Sequence, residues 1–465
     1  MATKHVASWV HSLQYSTLPE NVINAAVRSF YNWVGCAIGG SQHEATEIAY
    51  TTLKPLFGPL TASLLGRRGQ QADPQHAALI NGIASHVHDY DDTHLDTIIH
   101  PTGPVASALL AATEWLTTTG GPPVSGEAFI VALVAGIEVE CKVGLAVWPQ
   151  HYDVGWHITS TTGSIGAAAA VAKLFGLDQD KTAHAIGLAS TQVVGLREMF
   201  GSHTKSFHPG RAAQNGFLAG MLARSGWTSS EGALEATRGW ANVVSPTKED
   251  VQADLSKWVG LGDSEVGLPD GNKGRWEILR NSFKPFPCGI VIHPIINACA
   301  QLHADMQKEG LQISEIDHVQ AQVHPLVLEL TGKKTPQDGL QGKFSVYHGG
   351  ACGLVFGKAT PSQYEDSVVL DAEVVGVRDR IDAVINKDLA ADAAIVTVTM
   401  RDGKVLEKHV DHAVGSLEVP LDDRRLEEKF LDQCKIQDAE AVSSLLWKIR
   451  KSGDVAALFK SIHST

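Results

Sequence analysis

Residues 124–147, VSGEAFIVALVAGIEVECKVGLAV, and residues 160–177, STTGSIGAAAAVAKLFGL, decide how this chain is built. The first opens with Ser125, placed to cap a helix N-terminus, and then runs long and apolar. The second is a helix of small residues with Gly176 placed as its C-cap. Working outward, the same period recurs. Val6, Trp9, Val10 and Leu13 fall at helical spacing near the N-terminus. Pro19 stands where a second helix starts, and Val22, Ala25, Ala26, Phe30 and Val34 continue it. PQHAALINGIASHVHDYDD reads as a helix from about Pro74 to about Asp89, and DQDKTAHAIGLAST and GRAAQNGFLAGMLARSG follow the same rule. The density of Ala and Gly implies helices with backbones in near contact.

The character changes beyond residue 265. The stretch from Val266 to Arg275 is rich in Gly, Pro and charge and reads as a linker. HVQAQVHPLVLEL alternates in part, as a strand does, and AAIVTVTMRDGKVLEKHVD is a hairpin about an Asp402-Gly403 turn. A second domain of helices and an antiparallel sheet is therefore expected over 269–405. The tail from Leu421 is helical again and is expected to pack back onto the first domain. There is no internal repeat.

A chain of 465 residues is too long for one ordinary core. Its net charge of −13 lacks the footprint of a nucleic-acid or anionic-membrane binder, so an anionic substrate needs a local cluster of cations. The longest apolar run carries Glu138, Glu140 and Lys142 at its centre, which is costly in lipid, so no membrane span is expected. The N-terminus reads as an amphipathic helix and not as a targeting peptide. Six scattered cysteines without a CxxC pair fit free thiols in a reducing compartment, and the cytoplasm is the expected location.

Four islands could carry chemistry. SHVHDYDDTHLDTIIHPTG holds His86, His88, Asp89, Asp91, Asp92, Thr93, His94, Asp96 and His100. Its start resembles the metallo-hydrolase pattern HxHxDH, but Tyr90 and Asp91 occupy the last two positions and a helix precedes it, so no metal is expected. What remains open is a solvated helix end or an acid/base site in which a carboxylate tunes a histidine. In DVGWHITSTTGSIG, His157 stands before a helix start, whose free N–H groups suit a carboxylate. In GSHTKSFHPGRAAQNG, Lys205, His208 and Arg211 precede an apolar helix, and cations there oppose the helix dipole unless an anion bridges the conflict. In NSFKPFPCGIVIHP, Lys284 lies in an apolar frame at the entry to the second domain, with His293 nine residues on.

These islands, in this order, resemble the MmgE/PrpD family of 2-methylcitrate dehydratases, cis-aconitate decarboxylases and iminodisuccinate epimerases. The resemblance rests on DYDDTHLDTIIHP, on GWH followed by TTGSIGAAAAVAKLFGL, on TKSFHPGRAAQNG and on FKPFPCG, and covers nearly the whole chain from LPENVINAAVRSFYNWVGCAIGG onward. It implies a mainly α fold, with a large all-α helical domain built from both chain ends (1–268 and 406–465) and a smaller α+β lid domain (269–405). It implies a homodimer, no metal or organic cofactor, and a small polycarboxylate substrate bound between the domains.

Carried over, the site is Asp89, Thr93, His100, His157, Lys205 and Lys284. Cys288-Gly289 stands where the decarboxylase branch often has a His, and the Thr93–His100 spacing is one residue longer than in the vertebrate decarboxylase. On this basis His100 and His157 are the expected acid/base pair, with Asp89 orienting one imidazole. Lys205, Lys284 and Arg211 would hold substrate carboxylates, and Thr93 and His208 would complete the binding site. The expected activity is a cofactor-independent lyase on a citrate-type acid, by dehydration or decarboxylation. An epimerase of an amino- or imino-dicarboxylate is the runner-up, and a non-catalytic polycarboxylate binder is a third reading.

Overall fold

The computed structural model describes residues 1–245 and 275–464, so the linker read at Val266–Arg275 lies, except for Arg275, outside the described residues. The first part is a pile of helices: α1 (Ala2–Ser12), α2 (Glu20–Gly40), α3 (Pro74–His86), α4 (Thr102–Thr118), α5 (Gly126–Val147), α6 (Ile158–Leu174), α7 (Gln179–Ser190) and α8 (His203–Arg224). Ser125 caps α5, as its hydroxyl accepts from the Ala128 N–H, and Asp178 caps α7 through the Lys181 N–H. Gly176 adopts φ +63° just past α6. Helix α6 is buried on every side from Ile158 to Ala172, so an Ala-rich helix without an amphipathic stripe forms the centre of the pile.

Glycines set the distances here. A Cβ on Gly82 of α3 would lie 2.5 Å from the Gly210 Cα of α8, and one on Gly210 would lie 2.4 Å from the Leu79 carbonyl oxygen. Only bare backbones allow α3 and α8 to cross this closely. The crossing lies one turn from His86 on α3 and little more than one turn from Lys205 on α8, so it fixes how the two side chains meet.

The tail returns to this pile. Leu426, Phe430, Val442, Leu446 and Phe459 belong to the same buried cluster as Phe30, Trp33 and Phe129. A separate cluster gathers Cys288, Val291, Ile295, Val319, Val346, Val396 and Val410. It lies between α9 (His293–Glu309), α10 (Val346–Phe356) and a four-stranded sheet. The ribbon β1 (Asp92–His94) with β2 (Asn281–Phe283) connects the two regions by antiparallel pairing, Thr93 opposite Ser282. The sheet contains β3 (Ile316–Val323), β4 (Ile381–Ile385), β5 (Ala394–Met400) and β6 (Val405–Val410), in the order β4-β3-β5-β6. The fold is mainly α with a small α+β part.

Four readings need correction. Helix α3 stops at His86 and not near Asp89, because the chain turns there and Asp89 takes φ +51°. Helix α8 begins at His203, so Lys205, His208 and Arg211 lie inside it and not before it. The sheet is mixed and not purely antiparallel: β3 and β4 run parallel, since the helical excursion between them leaves room for a crossover. The sheet also runs to Val410, five residues past 405. The Asp402-Gly403 hairpin is as expected, with Gly403 at φ +88°.

Candidate active site

The site is organised around the turn that ends α3. All four lysines buried among the described residues converge on residues 86–90. Lys205 donates to Asp89 Oδ1 (2.9 Å), and Lys284 donates to the same oxygen (2.8 Å) and to the Asp89 carbonyl (3.1 Å). Lys343 donates to the Val87 carbonyl (2.9 Å), and Lys429 to the Tyr90 carbonyl (2.6 Å). A helix C-terminus leaves carbonyls without intrahelical partners and carries a partial negative charge, so cations are favoured there. The left-handed Asp89 is tolerable because Asp and Asn are among the few non-glycine residues that adopt it readily.

Burial pushes the Asp89 carboxyl up, but Lys205 and Lys284, with His100 and His86, overcome this and hold it well below the carboxylate range. Burial pushes Lys205 down, against the pull of Asp89. Lys343 is pushed down to about 7 by burial and Lys429 to about 8. The two ammoniums on Asp89 differ in one respect. Lys284 places its three protons on Asp89 Oδ1, the Asp89 carbonyl and the Cys288 carbonyl (3.2 Å). Lys205 uses two, on Asp89 and on His86 Nε2 (2.8 Å), and among the described residues no acceptor takes its third. Its Nζ lies 5.2 Å from the Phe200 ring centroid and 5.6 Å from that of Phe344.

The imidazoles are arranged as tightly. The Asp92 carbonyl accepts from His100 Nδ1 (2.9 Å), which makes Nδ1 the protonated nitrogen and leaves Nε2 bare. Thr93 Oγ1 lies 3.2 Å from the same Nδ1. His157, the residue before α6, shares a proton between its Nδ1 and His208 Nδ1 at 2.8 Å. Burial pushes His100 and His157 well below the usual histidine value, and His208 to about 4, so all are neutral near pH 7. Neither His100 Nε2 nor His157 Nε2 makes a hydrogen bond among the described residues. Both rings line a cavity of about 40 Å³ together with Asp89, Lys205, Lys284, Ile290, Leu330 and Phe344. A much larger cleft of about 1030 Å³ is lined by Lys343 and His88 and contains neither His100 nor His157.

The MmgE/PrpD N-terminal domain matches residues 4–252 and the C-terminal domain residues 286–446. The chain belongs to the MmgE/PrpD family. It is 25% identical to a cis-aconitate decarboxylase of Aspergillus terreus, covering 92% of this chain and 88% of the relative. Against the Homo sapiens cis-aconitate decarboxylase the figures are 24%, 97% and 92%. Against a 2-methylcitrate dehydratase of Cupriavidus necator they are 24%, 78% and 76%.

The residues expected from the MmgE/PrpD resemblance divide into three groups. Asp89, His100, His157, Lys205 and Lys284 meet at one cavity. Thr93 and His208 stand behind it, each against an imidazole and not on the cavity wall. Arg211 is not brought in; it is half-buried and donates to Gln214 one turn along its own helix (2.6 Å). Nor does Asp89 orient an imidazole, since its Oδ1 is 3.9 Å from His100 Nε2 and is taken by the lysines. Asp91 has that place, with Oδ2 2.7 Å from His86 Nδ1 and Oδ1 3.5 Å from His100 Nδ1. His293 is buried against Phe286, with its Nε2 unpartnered.

Lys343, Lys429, Phe200 and Phe344 escaped the sequence reading. Lys343 lies more than 250 residues from Val87 in the chain, and no local pattern marks it. His86, Asp89, Asp91 and His100 bring their ligand atoms together as a metal site would. In this site ammonium groups already occupy Asp89 Oδ1 and His86 Nε2, and a dication there would face two buried positive charges. The donor set does not fit a metal ion.

Proposed function

We propose that the chain is a lyase that moves a proton beside a carboxylate of a small citrate-type acid. The observation that carries this is the pair of neutral imidazoles whose Nε2 atoms have no protein partner among the described residues, beside the one unsatisfied N–H of Lys205, at a narrow cavity of about 40 Å³. A carbanion beside a carboxylate forms only if its charge spreads into a group held by cations. Lys205 supplies a free donor for that carboxylate, and Lys284 supplies fixed positive charge behind Asp89. His100 and His157 transfer the proton, with Nε2 as the working atom of each. Positioned proton transfer contributes about 10²–10⁴-fold in rate.

The cavity of about 40 Å³ is far below the several hundred that ligand pockets occupy, so substrate enters when the two regions separate. In this reading the helical domain is built from both chain ends and the lid from the stretch between them, bounded where the two hydrophobic cores part: Phe283 packs in the first core, and residues from Cys288 to Val410 pack in the second. Phe344 and Ile290 are then lid residues, and closure dries the site and strengthens each charge contact. The enzyme would work as a homodimer in the cytoplasm without metal or organic cofactor.

Decarboxylation of a cis-aconitate-like acid is favoured over dehydration, since the decarboxylases match over nearly the whole chain and the dehydratases over about four-fifths. The test is proton NMR of the purified protein in D₂O with cis-aconitate, 2-methylcitrate, citrate and iminodisuccinate, chelator present. New vinyl signals with loss of carbon dioxide support the decarboxylase, and vinyl signals with loss of water the dehydratase. Exchange at the α-carbon without cleavage would instead reveal an epimerase. Binding without turnover of any of them would refute catalysis on this substrate class.

A further inference from the structure

We infer that His86 and Asp91 are positioning residues that lock the Lys205 ammonium so that its one remaining N–H points into the catalytic cavity. The inference rests on the proposed function for its kinetic consequence, though not for its geometry. Both side chains are fully buried, and neither lines the cavity. Asp91 Oδ2 lies 2.7 Å from His86 Nδ1, and the opposite nitrogen, Nε2, lies 2.8 Å from Lys205 Nζ.

The chain of donors has one consistent order. Lys205 Nζ carries only donors, so His86 Nε2 must accept, and Nε2 must be bare. Nδ1 then carries the proton and donates to Asp91. A His86 tautomer with its proton on Nε2, or an imidazolium, would set N–H against N–H at 2.8 Å. Burial pushes His86 down, against the pull of Asp91, which keeps the ring neutral. Burial pushes Asp91 up, but His86 and His100 overcome it, so Asp91 stays an anion able to accept.

The stereochemistry of the ammonium completes the argument. Three N–H bonds leave Nζ at tetrahedral angles. Asp89 takes one and His86 takes another, and the direction of the third is then fixed. It has no protein acceptor among the described residues, and Lys205 lines the cavity. If this proton passes to substrate, the neutral amine keeps its bonds to Asp89 and His86 and turns its lone pair toward the same point. Lys205 can thus hold a carboxylate or exchange a proton without reorienting. Without the His86 acceptor, two N–H bonds are free and the ammonium rotates about its bond to Asp89.

Asn and Gln separate the two ring nitrogens: an Asn amide overlays Nδ1 and a Gln amide overlays Nε2. His86→Gln therefore keeps an acceptor for Lys205, whereas His86→Asn keeps only the group facing Asp91. For turnover of cis-aconitate or 2-methylcitrate, His86→Asn is expected to lower kcat/KM by roughly 10- to 100-fold, the scale of one charge-assisted hydrogen bond. The fall should lie mainly in kcat. The basic limb of the pH profile should move down by about one pH unit, since an ammonium that loses an acceptor gives up its proton more readily. Asp89, Asp91, Lys284, Lys343, His100, His157 and His208 also face Lys205 and are unchanged in both variants. His86→Gln should stay within a few-fold of the parent with its basic limb in place.

Equal losses in the two variants, or an unmoved basic limb in His86→Asn, would overturn the inference. A test that needs no turnover is nitrogen NMR of histidine-labelled protein at pH 7, with the His86 signals assigned by their loss in His86→Gln. Protonated Nδ1 with bare Nε2 is expected, and a protonated Nε2 would overturn the inference even if every tested acid proved not to be a substrate. Failure of the wild type to turn over any acid, with the expected tautomer present, would count against the proposed function alone.

Discussion

Asp89→Asn tests the electrostatic logic of the whole site. The carboxylate receives two ammoniums, at 2.8 and 2.9 Å, in a fully buried setting. Asn keeps the shape and accepts with one oxygen, but removes the only carboxylate that, among the described residues, contacts Lys205 or Lys284. Breaking a buried ion pair by deleting one partner costs about 3–5 kcal/mol, because the remaining charge is left uncompensated. Total stability is about 5–15 kcal/mol, so the loss is a large share of it. At about 2 °C per kcal/mol for a chain of this size, Tm should fall by roughly 5–10 °C.

The position also separates charge from backbone strain. Asp89 sits at φ +51°, where Asn is tolerated and Ala is not. Asp89→Ala should therefore lose roughly 1–2 kcal/mol more than Asp89→Asn. Because Asp89→Asn leaves an unpaired ammonium facing the cavity, a tricarboxylate such as citrate should raise its Tm more than that of the parent protein. The assay is thermal unfolding of both variants and the parent, with and without 10-fold excesses of citrate over the parent's Kd. Parental Tm and parental turnover in Asp89→Asn would refute the premise that this carboxylate balances the two lysines.

Other expectations follow from the same geometry. His157→Ala should lower kcat by about 10²–10⁴-fold with Tm little changed, as steady-state kinetics and melting together will read. Gly210→Ala places a methyl group against the Leu79 carbonyl, so the α3–α8 crossing must open. We expect a loss of about 1–3 kcal/mol in urea unfolding and a disproportionate loss of activity, because Lys205 is drawn off His86 and Asp89. Chelator should leave turnover unchanged in a metal-stripped buffer, whereas a metal-dependent loss would show that the ammoniums yield to an ion. Acid should destabilise the protein below pH 6.5. His43, His151, His208 and His348 are pushed down to about 4 by burial, so the unfolded chain takes up protons near 6.5 that the folded chain refuses. Stability is therefore lost as pH falls from 6.5 toward 4. Asp92, Glu114 and Glu138, raised to about 7 by burial, act the other way, losing stability as pH rises from about 4 to 7. With Glu140 they number four against ten lowered histidines, so Tm should climb between pH 4.5 and 6.5.

The sequence by itself determined the helices, the hairpin and the residues rich enough in chemistry to matter. Periodicity is local, so α2, α5 and α6 and the turn at Asp402-Gly403 could be read within a few residues, and so could the caps Ser125 and Gly176. The small residues of α3 and α8 announced close packing, though not which helices would touch. The four islands were visible because His, Asp and Lys cluster in each.

Only the tertiary structure decided how those islands divide the work. Lys284 reaches Asp89 because β1 pairs with β2, and Lys205 reaches His86 because Gly82 and Gly210 let two helices cross without side chains between them. Arg211 lies only six residues beyond Lys205 and misses the cavity, because a helix turns its side chain to another face. Asp91 and not Asp89 orients an imidazole, since the chain turns left-handed at Asp89 and presents successive carboxylates to different partners. Lys343 and Lys429 reach the same turn from distant parts of the chain. Hydrogen-bond partners and protonation depend on distances of about 3 Å and on exclusion of water. Neither exists until segments far apart in the chain have packed.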